Sequence, residues 1–176
     1  MDEWLNDGLR AQGYCGMKCI EGGEIIGIVS ARPGVEFTCG HQELVREIER
    51  RWKGAVLYTA DMGLVLPPHR RRGIARTLLC LVRDKLISMR CSHLVTEHWL
   101  RGAQDCGVEH SPQMLPVVRE CLGELHIVGE FPDFYRELGK YGMVCPYCGG
   151  SRCVCGAMVG VSDITAPLRE ERSRAI

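Results

Sequence analysis

Apolar positions recur with two different periods along the chain, and the change of period marks its elements. The segments GYCGMKCI and EIIGIVSAR flank EGGE at residues 21 to 24, whose glycines supply the positive φ angles that a tight hairpin demands. ARPGVEFTCG reads as a loop. Leu44, Val45, Ile48 and Trp52 then fall at helical spacing, which predicts a helix over residues 41 to 53, closed by Gly54. AVLYTADMGLVL, residues 55 to 66, is apolar and β-branched with few charges, as a largely buried strand should be, and Pro67 and Pro68 stop it. After Gly73 the positions Ile74, Leu78, Leu81, Val82, Leu86 and Met89 predict a second long helix. HLVTEHWL, 93 to 100, reads as a strand, 105 to 112 as a loop, and 116 to 125 as a weaker helix. Pro132 suits the start and Gly139 the end of a short helix carrying Phe134, Tyr135 and Leu138.

Composition narrows the classes of function. With 176 residues the chain is one domain of ordinary size, long enough to bury a core. Its 22 Lys plus Arg balance 22 Asp plus Glu, so no global field draws it to nucleic acid or to an anionic membrane, and any electrostatic function is local. No apolar run approaches the roughly 18 residues of a membrane span, and MDEWLNDGLR lacks the basic start and apolar core of a signal peptide. A cytoplasmic protein is expected. The 11 cysteines are odd in number and unevenly spread, which fits thiols and a metal site better than a secreted disulfide framework.

The stretch LVLPPHRRRGIARTLL, 64 to 79, concentrates the chemistry. A strand turning sharply into a helix leaves backbone N–H groups unpaired at the positive end of the helix dipole, where they attract phosphate. Gly73 has no Cβ to hold a diphosphate off the backbone, Ala75 is nearly as small, and Arg70, Arg71 and Arg72 add charge-assisted bonds. By themselves these residues also suit a solvated basic turn in which glycine merely eases strand into helix.

The strand ending Leu64-Val65-x-Pro67, followed by Arg70-x-x-Gly73-x-Ala75-x-x-Leu78-Leu79, resembles the acetyl-CoA-binding motif of the GNAT superfamily of N-acetyltransferases. Phe134-Tyr135-Arg136-Glu137-Leu138-Gly139 is similar to that family's late helix, and EGGEIIG to its early strands. The resemblance covers roughly residues 13 to 142. It implies an α/β (α+β) fold with a mixed, mostly antiparallel sheet flanked by helices, whose central strands splay around the pantetheine arm. It implies further that the backbone of Leu64 and Val65 bonds the pantetheine, that residues 70 to 75, Ile74 included, wrap the pyrophosphate, and that Tyr135 protonates the departing thiolate. For the base, Asp61, Glu97 and His98 all stay open, with alternation sending Glu97 and His98 to opposite faces. The helix at 41 to 53 stands where the family normally turns directly from strand to strand, so the acceptor amine is not named by the resemblance. Many members of the family are homodimers, and this chain is left open to the same assembly.

CPYCGGSRCVCG, 145 to 156, places Cys145, Cys148, Cys153 and Cys155 so that four sulfurs can meet at about 2.3 Å from a zinc ion, a closed set that suits a structural site. CPxCG resembles a zinc-ribbon knuckle; the tighter Cys-x-Cys half leaves open a ligand from Cys15 or Cys19, iron, or a redox disulfide. The expected organisation is a GNAT-like domain over 1 to 142, a zinc knuckle capping the last strands over 143 to 160, and a charged tail over 161 to 176. The expected function is acetyl-CoA-dependent transfer to an unidentified amine. The alternative is a non-catalytic zinc-knuckle module that binds nucleic acid or protein, disfavoured by the zero net charge and by the lack of aromatics flanking the arginines.

Overall fold

The protein is described by a computed structural model over residues 13–37, 40–100, 114–136, 153 and 155–168. β1 (Cys15–Glu21) and β2 (Glu24–Pro33) form the expected hairpin, turned by Gly22 and Gly23 at φ of 61° and 86°. α1 (Gln42–Arg51) buries Leu44 and Ile48. β3 (Leu57–Val65) returns antiparallel to β2, and a single 3-10 turn, Pro67–His69, leads from it towards α2 (Ile74–Ser88). β4 (His93–Leu100) then lies parallel to β3. α3 (Leu115–Leu122), β5 (Leu125–Phe131) and β6 (Gly156–Asp163) follow. The six strands are ordered β1-β2-β3-β4-β6-β5, with β3 and β4 the only parallel neighbours among the described residues.

Two apolar layers cover the sheet. On one face Leu78, Val82 and Leu86 of α2 and Val118 and Leu122 of α3 pack on Val29, Ala31 and Leu94. On the other, Leu44 and Ile48 of α1 pack with Val35, Val95, Phe134 and Tyr135. His41 ties α1 to that second layer: its Nε2 lies 2.9 Å from the Phe134 carbonyl oxygen and its ring stacks on Phe134 at 3.8 Å.

Several expectations need correction. Helix α3 stops at Leu122 because Gly123 takes a φ of 83°, and Leu125, expected as the end of that helix, instead opens a strand. The period-2 signal of LHIVGEF is broken by a bulge between Ile127 and Gly129, which hides the strand from pattern reading. Residues 132–136 form turns rather than helix, and 137–139 lie outside the described residues. Leu81 points to solvent (46% exposed), its inward place being taken by Leu79. β6 runs across the boundary expected at 160 and 161, and Ile164 beyond it is fully buried, with Arg83 of α2 donating to the Ile164 and Ala166 carbonyls at 3.0 and 3.1 Å. Residues up to 166 therefore belong to the packed fold rather than to a tail; the loop expected at 105 to 112 falls outside the described residues.

The feature that positions a site is the junction of β3 and β4. Their ladder has three pairs, Leu57↔His93, Tyr58↔Leu94 and Thr59↔Val95. Beyond these, β3 stays paired to β2 as far as Val65, and β4 to β6 as far as Leu100. Held by different neighbours, the two strands part, and a gap opens between their facing backbone edges.

Candidate active site

At the far end of β3 the chain turns into α2. Gly73 caps the helix at φ 78°, and the first intrahelical bond runs from the Thr77 N–H to the Gly73 carbonyl at 3.0 Å. The N–H groups of residues 74 to 76 are thus left without an intrahelical acceptor, at the positive end of the dipole. A Cβ built on Gly73 meets nothing within 4 Å, so the turn opens to solvent and an anion has access to it. Arg71, also exposed, holds a φ of 65°, a left-handed conformation costly for a residue with a side chain. Arg70 donates from Nε to the Val65 carbonyl at 3.1 Å, which braces the end of β3. Arg72 is engaged by Glu21 from the hairpin, Nη2 to Oε1 at 2.6 Å and Nη1 to Oε2 at 3.0 Å, and His69 Nδ1 lies 2.9 Å from Arg72 Nη1. Hydrogen bonding from Arg72 is also the largest influence holding the Glu21 carboxyl below its ordinary pKa. Ile74 and Ala75 are half-buried, and Leu64 is exposed. Gly27 on β2 admits the first turn of α2: a Cβ there falls 2.9 Å from Ile74 Cγ2 and 3.2 Å from Leu78 Cδ1.

At the near end of the gap, Asp61 and Glu97 each stand two residues past the last β3–β4 pair, one on each wall. Alternation puts Val95, Glu97 and Trp99 on the α1 side of the sheet. There the Tyr135 hydroxyl donates a short hydrogen bond to Glu97 Oε1, and the Tyr135 ring stacks on Trp99 at 3.6 Å and 14°. Burial pushes the Glu97 carboxyl up; the Tyr135 bond and the charge of Arg32 pull it down, and Asp61 adds to the rise. Arg32, near the end of β2, has Nε 3.5 Å from Asp61 Oδ1 and Nη1 3.4 Å from Glu36 Oε2. Asp61 thus has a guanidinium beside it. On the same face, α1 borders a cavity of about 340 Å³ lined by His41, Gln42, Glu43, Leu44, Glu47 and Phe131.

His98 departs from its expected place among the bases. It lies buried on the opposite face, its Nε2 3.0 Å from Thr96 Oγ1, and burial lowers its pKa to about 4. Glu97 and Tyr135 meet directly, and Asp61 joins them through Arg32. Arg32, Trp99 and Glu21 were not found by sequence reasoning. Trp99 was legible in retrospect as the next residue of Glu97's own alternation, whereas Arg32 and Glu21 act through strand pairing that no local pattern encodes.

Of the four expected zinc ligands, Cys145 and Cys148 lie outside the described residues. Cys153 and Cys155 are buried, and the Cys155 N–H points at Cys153 Sγ, 3.4 Å away. Among the described residues no group of three or more His, Cys, Asp or Glu is placed to hold a metal ion.

The profile of the Acetyltransferase (GNAT) family matches residues 1–106, more than half of the chain. Among solved structures, the chain is similar to a ribosomal-protein-alanine N-acetyltransferase from Brucella melitensis (15% identity, TM-score 0.55, 92% of this chain and 75% of that one). It is also similar to a GNAT family acetyltransferase from Elizabethkingia anophelis with acetyl-CoA bound (16% identity, TM-score 0.53, 92% and 82%). A third likeness is to FeeM, an N-acyl amino acid synthase from uncultured soil microbes (12% identity, TM-score 0.55, 97% and 83%). At these identities the likeness carries the fold. No curated protein matches the chain in sequence.

Proposed function

Since the chain belongs to the GNAT acetyltransferase family, we propose that it transfers an acetyl group from acetyl-CoA to an amine by direct attack, with the thioester held in the gap between β3 and β4. The observation that carries this is the placement of the phosphate-binding turn at one end of the gap and a partly buried carboxylate at the other. The amides of residues 74 to 76 and the side chains of Arg70, Arg71 and Arg72 bind the diphosphate. The β3 backbone at Leu64 and Val65 aligns the pantetheine. Glu97 stands where the acceptor nitrogen arrives and serves as the base, its raised pKa bringing it nearer neutrality. Asp61 holds the incoming amine by charge. Both walls of the gap are acidic at this point, which favours a cationic amine over an anionic one as acceptor.

The test is direct. CoA at millimolar concentration should raise the melting temperature, because a ligand that binds only the native state stabilises it by mass action. A thiol-release assay over amines, peptides and amino acids should then find an acceptor. No melting shift with CoA, and a shift with an oligonucleotide instead, would replace an enzyme with a binding module.

We further propose one structural zinc at Cys145, Cys148, Cys153 and Cys155. Their spacing supports it, as does the N–H that Cys155 directs at the Cys153 sulfur, a geometry that favours thiolate. Elemental analysis of protein purified without added metal should give about one zinc per chain. We also infer a reducing, cytoplasmic setting, which the free thiols of Cys15, Cys19, Cys80, Cys91 and Cys121 support.

A further inference from the structure

Building on the acetyltransferase assignment, we propose that Tyr135 is a positioning residue that aims the Glu97 carboxylate, and that Glu97 alone carries the proton from the acceptor nitrogen to the departing sulfur. The tyrosine expected to protonate the thiolate is held fast by its neighbours. Its ring is fully buried, lies between Trp99 at 3.6 Å and Phe134 at 5.2 Å, and its backbone N–H bonds to the Cys155 carbonyl at 3.2 Å. Its hydroxyl proton is committed to Glu97 Oε1. A phenol has one proton, so while that bond lasts it has none to offer a sulfur.

Glu97 has a second oxygen, Oε2, outside that bond, and it stands just past the last β3–β4 pair, on the wall of the gap assigned to the thioester. The groups that face it are Tyr135 from the turn after β5, Arg32 from β2 and Asp61 from β3. As the free amine attacks, the C–N bond forms and the nitrogen's proton passes to the carboxylate. As the C–S bond breaks, the same proton passes from the carboxyl to the thiolate. Amide and thiol leave, and the carboxylate is restored, one proton having served both steps.

The test compares Tyr135→Phe, which keeps the ring and its stacking, with Glu97→Gln. The readouts are the pH profile of kcat/KM with one acceptor and the ¹³C NMR titration of the Glu97 carboxyl in glutamate-labelled protein. Tyr135→Phe should keep CoA binding and lose about tenfold in kcat, while the acid limb and the NMR titration both move to higher pH, because a bond favouring the carboxylate is gone. Glu97→Gln should lose on the order of a hundredfold or more and lack that limb. A loss in Tyr135→Phe as large as that of Glu97→Gln, with the titration unmoved, assigns the thiolate's proton to Tyr135 and overturns the proposal. Unchanged activity in Tyr135→Phe overturns it too. Failure of the wild type to bind CoA removes the acetyltransferase assignment instead, while the titration still tests the Tyr135–Glu97 coupling.

Discussion

Glu97 and His98 are one peptide bond apart, yet alternation along β4 gives them opposite surroundings and opposite duties. His98 is held neutral by burial, with a pKa of about 4 against about 6.5 in the unfolded chain. Its depressed pKa means that the unfolded state binds the proton first, so stability present above pH 6.5 is lost as pH falls towards 4. The size is about 3 kcal/mol by pH 4. Urea unfolding of the wild type and His98→Gln across this range should show the wild type losing that amount in excess of the variant, the Glu97 contribution cancelling in the difference. A second residue-scale expectation concerns Glu21, whose carboxylate occupies the Arg72 guanidinium that we assign to the diphosphate. Glu21→Gln releases that cation and removes a like charge. CoA should bind about two- to fivefold more tightly at low salt by calorimetry, with the gain shrinking as salt rises.

At the scale of elements, small residues let backbones approach where larger ones would hold them apart. Gly156 opens β6 beneath the end of β5: a Cβ there lies 2.6 Å from the Phe131 carbonyl oxygen and 3.2 Å from Pro132 Cα, both backbone atoms that cannot swing aside. Gly156→Ala should therefore cost about 1–3 kcal/mol by denaturant unfolding. It should also shift the turn that carries Tyr135 and lower kcat, while leaving CoA affinity within about twofold, since the phosphate turn is distant from it. Gly73→Val makes the converse case. No neighbour opposes a side chain there, but the φ of 78° does, and the branched group covers the amides. Its loss should fall on CoA binding, read as a weakened melting shift. The hairpin, α1, β3, α2 and β4 were all legible in the sequence, because each has a clear period or apolar run, and all but α2, which closes at Met89, stop at or near a glycine or proline. β5 was not, since its bulge shifts the phase of a strand only seven residues long.

At the scale of the whole molecule, the phosphate turn was visible because its chemistry is contiguous, Arg70 to Ala75. The proton-handling site was visible only as separate residues. Glu97 and Tyr135 are brought together by the placing of β6 between β4 and β5, a non-local pairing that no window of sequence contains. Arg83 secures that arrangement by bonding from α2 to the carbonyls that follow β6. Arg83→Met leaves those acceptors without their charged donor and should cost about 2–4 kcal/mol in urea unfolding.

The inserted position of β6 bears on when the enzyme can first work during its own synthesis. Ribosomes deliver residues 156 to 163 last of the six strands, so a nascent chain that already displays its nucleotide cradle still has an open seam in the middle of its sheet. Cofactor affinity should thus arise before catalysis in a series of stalled chains, and turnover only once the final strand has left the exit tunnel.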